Sequence, residues 1–179
     1  MDKQVIVVNG RGGVGKDTLC RLAGRFYRVR NISSITPIVE IARYAGWDGV
    51  KTPASRRLLS QLKQAFTEWG DLSQRYCLAQ YQQFLAGDED ILFVHIREPE
   101  EIERFRRAIG TPCHTLLVRR GSREAPLGNR SDDNVAEYSY DYYFYNDGPL
   151  ARMADSVRDF FAMILSDTPP QTPYRWHFD

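Results

Sequence analysis

The residue types best suited to chemistry are concentrated between positions 10 and 18. There the run G-R-G-G-V-G-K-D-T sets Gly10, Gly12, Gly13, Val14 and Gly15 ahead of Lys16, Asp17 and Thr18. Glycine lets backbone N–H groups turn inward around an oxyanion, because no side chain blocks the φ/ψ values required. A helix opening near Lys16 adds unpaired N–H groups and the positive end of its dipole. Lys16 itself reaches the β- and γ-phosphates of a nucleotide as a mobile charge. The flanks separate this run from a plain glycine-rich turn. Residues 4–9 (QVIVVN) read as a buried β-branched strand, and Leu19, Leu22, Ala23 and Phe26 follow on one helical stripe. The expected ligand is ATP with magnesium. A serine or threonine hydroxyl ordinarily follows the lysine and ligates the metal. Asp17 stands there instead, with Thr18 next. A carboxylate is also a hard oxygen ligand, so both are metal candidates.

Further cations sit where phosphates would need them. Arg97 follows an apolar strand at 91–96 and should emerge at the carboxyl edge of the sheet, where open α/β sheets bind ligands. It would clamp an acceptor phosphate or stabilise the transferred group; the alternative is a surface ion pair with Glu100 or Glu101. Arg119, Arg120, Arg123 and Arg130 share a polar stretch with one glutamate, a local charge of +3. Guanidinium forks that close over a triphosphate suit charge redistribution during transfer, and a solvated basic loop is the plainer alternative. Arg119 is assigned to the nucleotide, and Arg123 and Arg130 to catalysis together with Lys16 and Arg97. Arg56 and Arg57 open a helix that would meet the acceptor phosphate. Tyr44 and Trp47 lie nearby and would stack on a base or else simply pack. His95 is a poor magnesium ligand when neutral and is expected to be a hydrogen-bonded histidine within the sheet. Glu98 and the Asp132–Asp133 pair are the remaining acidic candidates.

The elements that must position these residues alternate. Strands are expected at 4–9, 32–35, 91–96, 113–118 and 141–145, with helices between them, which implies a parallel sheet covered on both faces. Pro37 opens a short helix, Thr52 caps the next with Pro53 at its first position, and Asp71 caps a third. Pro99 starts a helix that Gly110 stops, and Asp147 caps the last, which runs to Ile164. Helices succeed one another from about 36 to 88, an insertion, and a lid-like loop covers about 120–136. The expectation is one α/β domain over 1–166, a three-layer sandwich around a five-stranded parallel sheet. Residues 167–179 are left as an irregular tail packed through Tyr174 and Trp176.

Bulk properties bound the function. The 179 residues suit one domain with its own core, and 42% hydrophobic with 26% charged residues indicates a globular chain. A net charge of +1 supplies no global field toward nucleic acid or an anionic membrane, so neither is an expected partner. No apolar run approaches a membrane span and no signal peptide is evident. Cys20, Cys77 and Cys113 are too scattered for a zinc site or disulfide framework and read as buried thiols of a reducing cytoplasm. A monomer and a homodimer are equally compatible with these numbers.

The GKDT sequence in the loop resembles the deoxynucleoside monophosphate kinases of phages and bacteria, a branch of the P-loop nucleoside monophosphate kinases. Residues 46–51 (GWDGVK) with 56–59 (RRLL) are similar to the family's substrate segment. HIREPEEIE at 95–103 resembles its strand-end arginine segment, and DYYFYNDGPL at 141–150 its last strand and turn. This resemblance implies transfer of the ATP γ-phosphoryl group to a (deoxy)nucleoside 5′-monophosphate, a helical monophosphate-binding insertion and an arginine-bearing lid. A kinase of the same fold acting on another small metabolite, such as dephospho-coenzyme A, is the alternative. A nucleotide-switch ATPase is a third reading: R11-G-G-V-G-K16 resembles the deviant loop of partitioning ATPases, and an SDTPP string occurs at 166–170. That string lies too near the end for the helices that normally follow it.

Overall fold

The computed structural model describes residues 2–121, 135 and 138–179. Strands β1 (Gln4–Asn9), β2 (Val29–Ser33), β3 (Ile91–His95), β4 (Cys113–Arg119), β5 (Tyr142–Asn146) and β6 (Tyr174–Phe178) form one sheet. Their order is β2-β3-β1-β4-β5-β6, and every neighbouring pair is parallel. Parallel strands need crossover connections, which for every pair of consecutive strands except β4 and β5 run through the helices α1 (Lys16–Ala23), α2 (Thr36–Tyr44), α3 (Pro53–Gly70), α4 (Leu72–Ala86), α5 (Pro99–Ile109) and α6 (Met153–Ile164). No helix among the described residues is long and apolar enough to cross a membrane.

Side chains alternate across the sheet and divide the core in two. Ile6 and Val8 of β1, Phe93 of β3, Val118 of β4 and Phe144 of β5 pack against α1 and α6. Val5, Val7, Leu92, Val94 and Leu117 face the other way, against Phe84 of α4 and Phe105 of α5. Because both faces are covered, the central strands read as continuous apolar runs, which is why they were legible. The three cysteines are buried thiols, as expected.

Three expectations need correcting. The sheet has six strands, not five: residues 174–178 of the presumed tail pair with β5, and Phe178 is buried in the α1/α6 face. The second strand lies at 29–33 rather than 32–35. As an edge strand it accommodates the polar residues Arg30 and Asn31, which hid it, and Ile32 is its one buried side chain. The two aspartate caps also differ. Asp71 occupies the corner between α3 and α4 at φ +49°, a left-handed value that aspartate tolerates. Its carboxylate turns to Arg104 of α5 rather than to the helix backbone. Asp147 caps nothing: a 3-10 turn at Leu150–Arg152 precedes α6, and its Oδ1 accepts from the Gly121 N–H at 2.8 Å. Thr52 and Ser55 do form the reciprocal cap of α3, and Gly110 at φ +62° ends α5.

Helices α2, α3 and α4 follow one another between β2 and β3, and α3 is loosely seated. Of the 18 residues of α3 only Ser55 is buried. Lys63 pairs with Glu101 of α5 at 2.9 Å, so a polar contact helps to hold this helix to the core.

Candidate active site

A parallel sheet delivers all of its strand ends to one edge, and the sequence places its polar residues there. Asn9, Ser33, His95, Arg119 and Asn146 each close a strand on that side. The phosphate loop leaves β1 at Asn9 and enters α1 at Lys16. Gly13 and Gly15 have φ of +80° and +99°, values costly for any residue with a Cβ. Close approach matters as much as dihedral freedom. A Cβ on Gly10 would lie 2.7 Å from the Val118 carbonyl oxygen, and one on Gly15 would lie 2.3 Å from Nδ2 of Asn146. That same amide donates to the Val14 carbonyl at 2.8 Å, so the loop is fastened from the β5 side. Val14 is buried, whereas Gly12, Gly13 and Asp17 are exposed. The N-terminus of α1 directs the positive end of its dipole at the loop beside Lys16, the arrangement an anion site at a helix N-terminus requires.

His95 lies at the end of β3. Its Nε2 meets Asn31 Oδ1 at 2.8 Å, which puts the ring proton on Nε2 and the lone pair on Nδ1. The Nδ1 atom is 4.0 Å from Asp17 Oδ1. Burial lowers the histidine pKa to about 4; Asp17 opposes the shift, while Lys16 and Arg97 reinforce it. The ring is therefore neutral at pH 7. This is the hydrogen-bonded sheet histidine expected from the sequence, although it stands beside the loop rather than apart from it. Its electrostatic neighbours show that Lys16, Asp17, His95 and Arg97 converge on one region.

The donor set fits magnesium. The ion is usually held by one or two carboxylates, substrate phosphates and several waters. Asp17 is one exposed carboxylate in the first turn of α1, with Thr18 half-buried beside it. Among the described residues no three His, Cys, Asp or Glu side chains form a metal cluster.

The other predicted residues are distributed as follows. Arg97 is half-buried, and its carbonyl accepts from Asn9 Nδ2 at 3.0 Å. Glu101, one of its suggested ion-pair partners, is engaged by Lys63. Arg119 lies over the Tyr145 ring, 5.9 Å from its centroid, and Tyr145 stacks on His177 of β6 at 4.5 Å. Arg56 and Arg57 are exposed in the first turn of α3. Tyr44 is 96% exposed, so it is not a core residue. Trp47 donates from Nε1 to the Val50 carbonyl at 3.0 Å. Glu98 is the N-cap residue of α5, and Arg120 is half-buried. Arg123, Arg130, Asp132 and Asp133 lie outside the described residues. The SDTPP string follows α6 on the way to β6; in a parallel sheet that connection runs at the edge opposite the phosphate loop. It therefore cannot serve as a switch beside the nucleotide.

Sequence reasoning missed four polar side chains: Asn9 and Asn146 at this edge, and Asn31 and Tyr140, which meet His95 and Asn9. A signal existed for two of them. Both β1 (QVIVVN) and β5 (YYFYN) end an apolar run on a buried asparagine, and a buried amide must find partners.

No family model matches the chain, and no curated protein matches it in sequence. Among solved structures it is similar to a candidate kinase from Chloroflexus aurantiacus, at 15% identity over 93% of this chain and 98% of the other, with TM-score 0.53. It is also similar to a shikimate kinase from Bacteroides thetaiotaomicron, at 16% identity over 91% and 99% of the two chains, with TM-score 0.52. A thymidylate kinase from Ehrlichia chaffeensis aligns at 14% identity over 99% and 88%, with TM-score 0.37. At these identities the likeness to the first two shows the fold alone, a parallel α/β sheet covered by helices.

Proposed function

We propose that the chain transfers the γ-phosphoryl group of ATP to a (deoxy)nucleoside 5′-monophosphate. The observation that carries the reading is the seating of the phosphate loop beside Arg97. The cradle between β1, α1 and Asn146 stands next to an arginine rooted on the adjacent strand. Two phosphates approach in line only if one is held by the loop and the other by a separate cation.

In this scheme the loop N–H groups and Lys16 hold the β- and γ-phosphates, and Arg97 holds the acceptor phosphate or the moving group. Arg119, which ends β4 and lies over the Tyr145 ring, is assigned to the nucleotide. Arg56 and Arg57 of the insertion approach the acceptor, and Arg123 and Arg130 supply further cations. Asp17 and Thr18 would hold magnesium, which would supply charge neutralisation at the phosphates. Catalysis is positioning and charge compensation, with no covalent intermediate on the protein.

The likeness to a shikimate kinase keeps a second acceptor class in view, a small hydroxyl-bearing metabolite. One experiment separates the two. ADP release from ATP and magnesium is followed across all ribo- and deoxynucleoside monophosphates and then across small hydroxylated acids, with Lys16→Ala as control. Turnover with one or a few monophosphates, reduced by about 10²–10³-fold in Lys16→Ala, supports the proposal. Turnover only with a hydroxyl metabolite transfers the assignment to the second class. Silence across both panels sinks the kinase reading.

A further inference from the structure

We infer that Asn9 and Tyr140 are positioning residues that lock Arg97 and the phosphate loop into one geometry. The inference rests on the phosphotransfer reading and adds two residues that contact neither phosphate.

Asn9 is the last residue of β1 and is 1% exposed. Each polar atom of its side chain is committed. Oδ1 accepts from the Gly10 N–H at 2.8 Å, the first backbone donor of the loop. Nδ2 donates to the Arg97 carbonyl at 3.0 Å and to the Tyr140 hydroxyl at 2.8 Å. Tyr140, itself buried, passes the chain on by donating to the Val135 carbonyl at 3.2 Å. Burial also raises the Tyr140 pKa, so the hydroxyl keeps the proton it donates.

This arrangement has a consistent chemical logic. Two donors and one acceptor are needed at one point, and among side chains of this size only asparagine offers them. Aspartate would lose both donors, and leucine would leave Gly10 N–H, the Arg97 carbonyl and the Tyr140 hydroxyl short of a partner. The amide spans adjacent strands: its backbone belongs to β1, and the carbonyl it holds lies two residues beyond the end of β3. Arg97 therefore leaves the sheet edge from a root fixed relative to the loop, while Tyr140 holds the amide from the far side. A misplacement of about 1 Å between a catalytic cation and its substrate can cost about 10²-fold in rate.

The test is a double-mutant cycle of Tyr140→Phe with Arg97→Ala, read as kcat, KM for each substrate and ATP affinity. Tyr140→Phe alone should lower kcat by 10-fold or more while ATP affinity stays within about 3-fold of the wild type. In the Arg97→Ala background the same change should have no further effect on kcat, because the cation being positioned is gone. Multiplicative losses in the double mutant, or unchanged kcat in Tyr140→Phe, would overturn the inference. Hydrogen exchange gives a second readout that needs no turnover. Asn9→Leu should accelerate exchange of the Gly10 amide, and exchange around residues 96–98 should rise in both Asn9→Leu and Tyr140→Phe. Unchanged exchange overturns the inference even if the chain proves to be no kinase; faster exchange without any turnover keeps the lock and rejects only the activity.

Discussion

The Asn146 side-chain amide donates to the Val14 carbonyl across 2.8 Å, tying the end of β5 to the middle of the phosphate loop. Both residues are buried, so nothing else replaces the bond if it is lost. Asn146→Ala leaves a buried carbonyl unsatisfied and should cost about 1–3 kcal/mol in urea unfolding. It should also weaken ATP binding, since the loop is no longer held from that side.

Gly15 belongs to the same contact. An added Cβ would stand 2.3 Å from the Asn146 amide nitrogen, at a φ of +99°. Gly15→Ala is expected to abolish measurable ATP binding in calorimetry. The double variant Gly15→Ala with Asn146→Ala removes the collision but not the backbone strain, so it should recover part of the affinity. No recovery at all would mean that strain, not the clash, dominates.

His95 predicts a pH dependence with a definite sign. Its folded pKa of about 4 lies below the ordinary value of 6.5, so the unfolded chain binds this proton more readily. The contribution of the neutral ring is complete above pH 6.5, declines as pH falls through that value, and levels off below about pH 4. The difference between the plateaus is on the order of 3 kcal/mol. Chemical denaturation of the nucleotide-free protein between pH 4 and 7 should show stability rising with pH, and His95→Asn should flatten that slope.

Burial also governs the thiols. Desolvation raises Cys77 and Cys113 to about 12 and moves Cys20 the same way. The thiolate is the reactive form, so a buried protonated cysteine is inert. A disulfide exchange reagent at pH 8 should find almost no reactive thiol in the native protein and three after denaturation. Rapid reaction of any one in the native state would contradict the packing of its face of the sheet.

What the sequence revealed follows from how each feature is encoded. The phosphate loop was legible because its dihedral and phosphate requirements force glycine, lysine and a helix start at fixed spacing. The central strands were legible because burial on both faces demands unbroken apolar runs such as ILFVHI. Edge strands need no such run. Arg30 and Asn31 in β2 and the alternation of Arg175 and His177 with Trp176 and Phe178 in β6 look like loop on sequence alone. The prolines and threonine before β6 strengthened that impression. The polar network at the strand ends was hidden for a different reason: besides the adjacent Gly10 N–H, the partners of Asn9 are 88 and 131 residues away, and no local pattern announces them.

The sixth strand carries the last prediction. Phe178 is 6% exposed among the α1/α6 core, and its carbonyl accepts from the backbone N–H groups of Asp147 at 2.9 Å and Gly148 at 2.6 Å. These two residues directly follow Asn146, so the strand braces the turn that in turn fastens the loop. Replacing the ring and removing the backbone acceptor have separable consequences. Phe178→Ala deletes apolar packing and should cost about 3–5 kcal/mol, seen as a lower thermal midpoint. The carbonyl remains, so ATP affinity measured well below that midpoint should change little. Deleting residues 174–179 removes the acceptor as well, and leaves the N–H groups at 147 and 148 and the edge of β5 unpaired. It should lower stability further and weaken ATP binding measurably. If Phe178→Ala and the deletion weaken ATP binding equally, the brace acts through the packed ring rather than through the backbone.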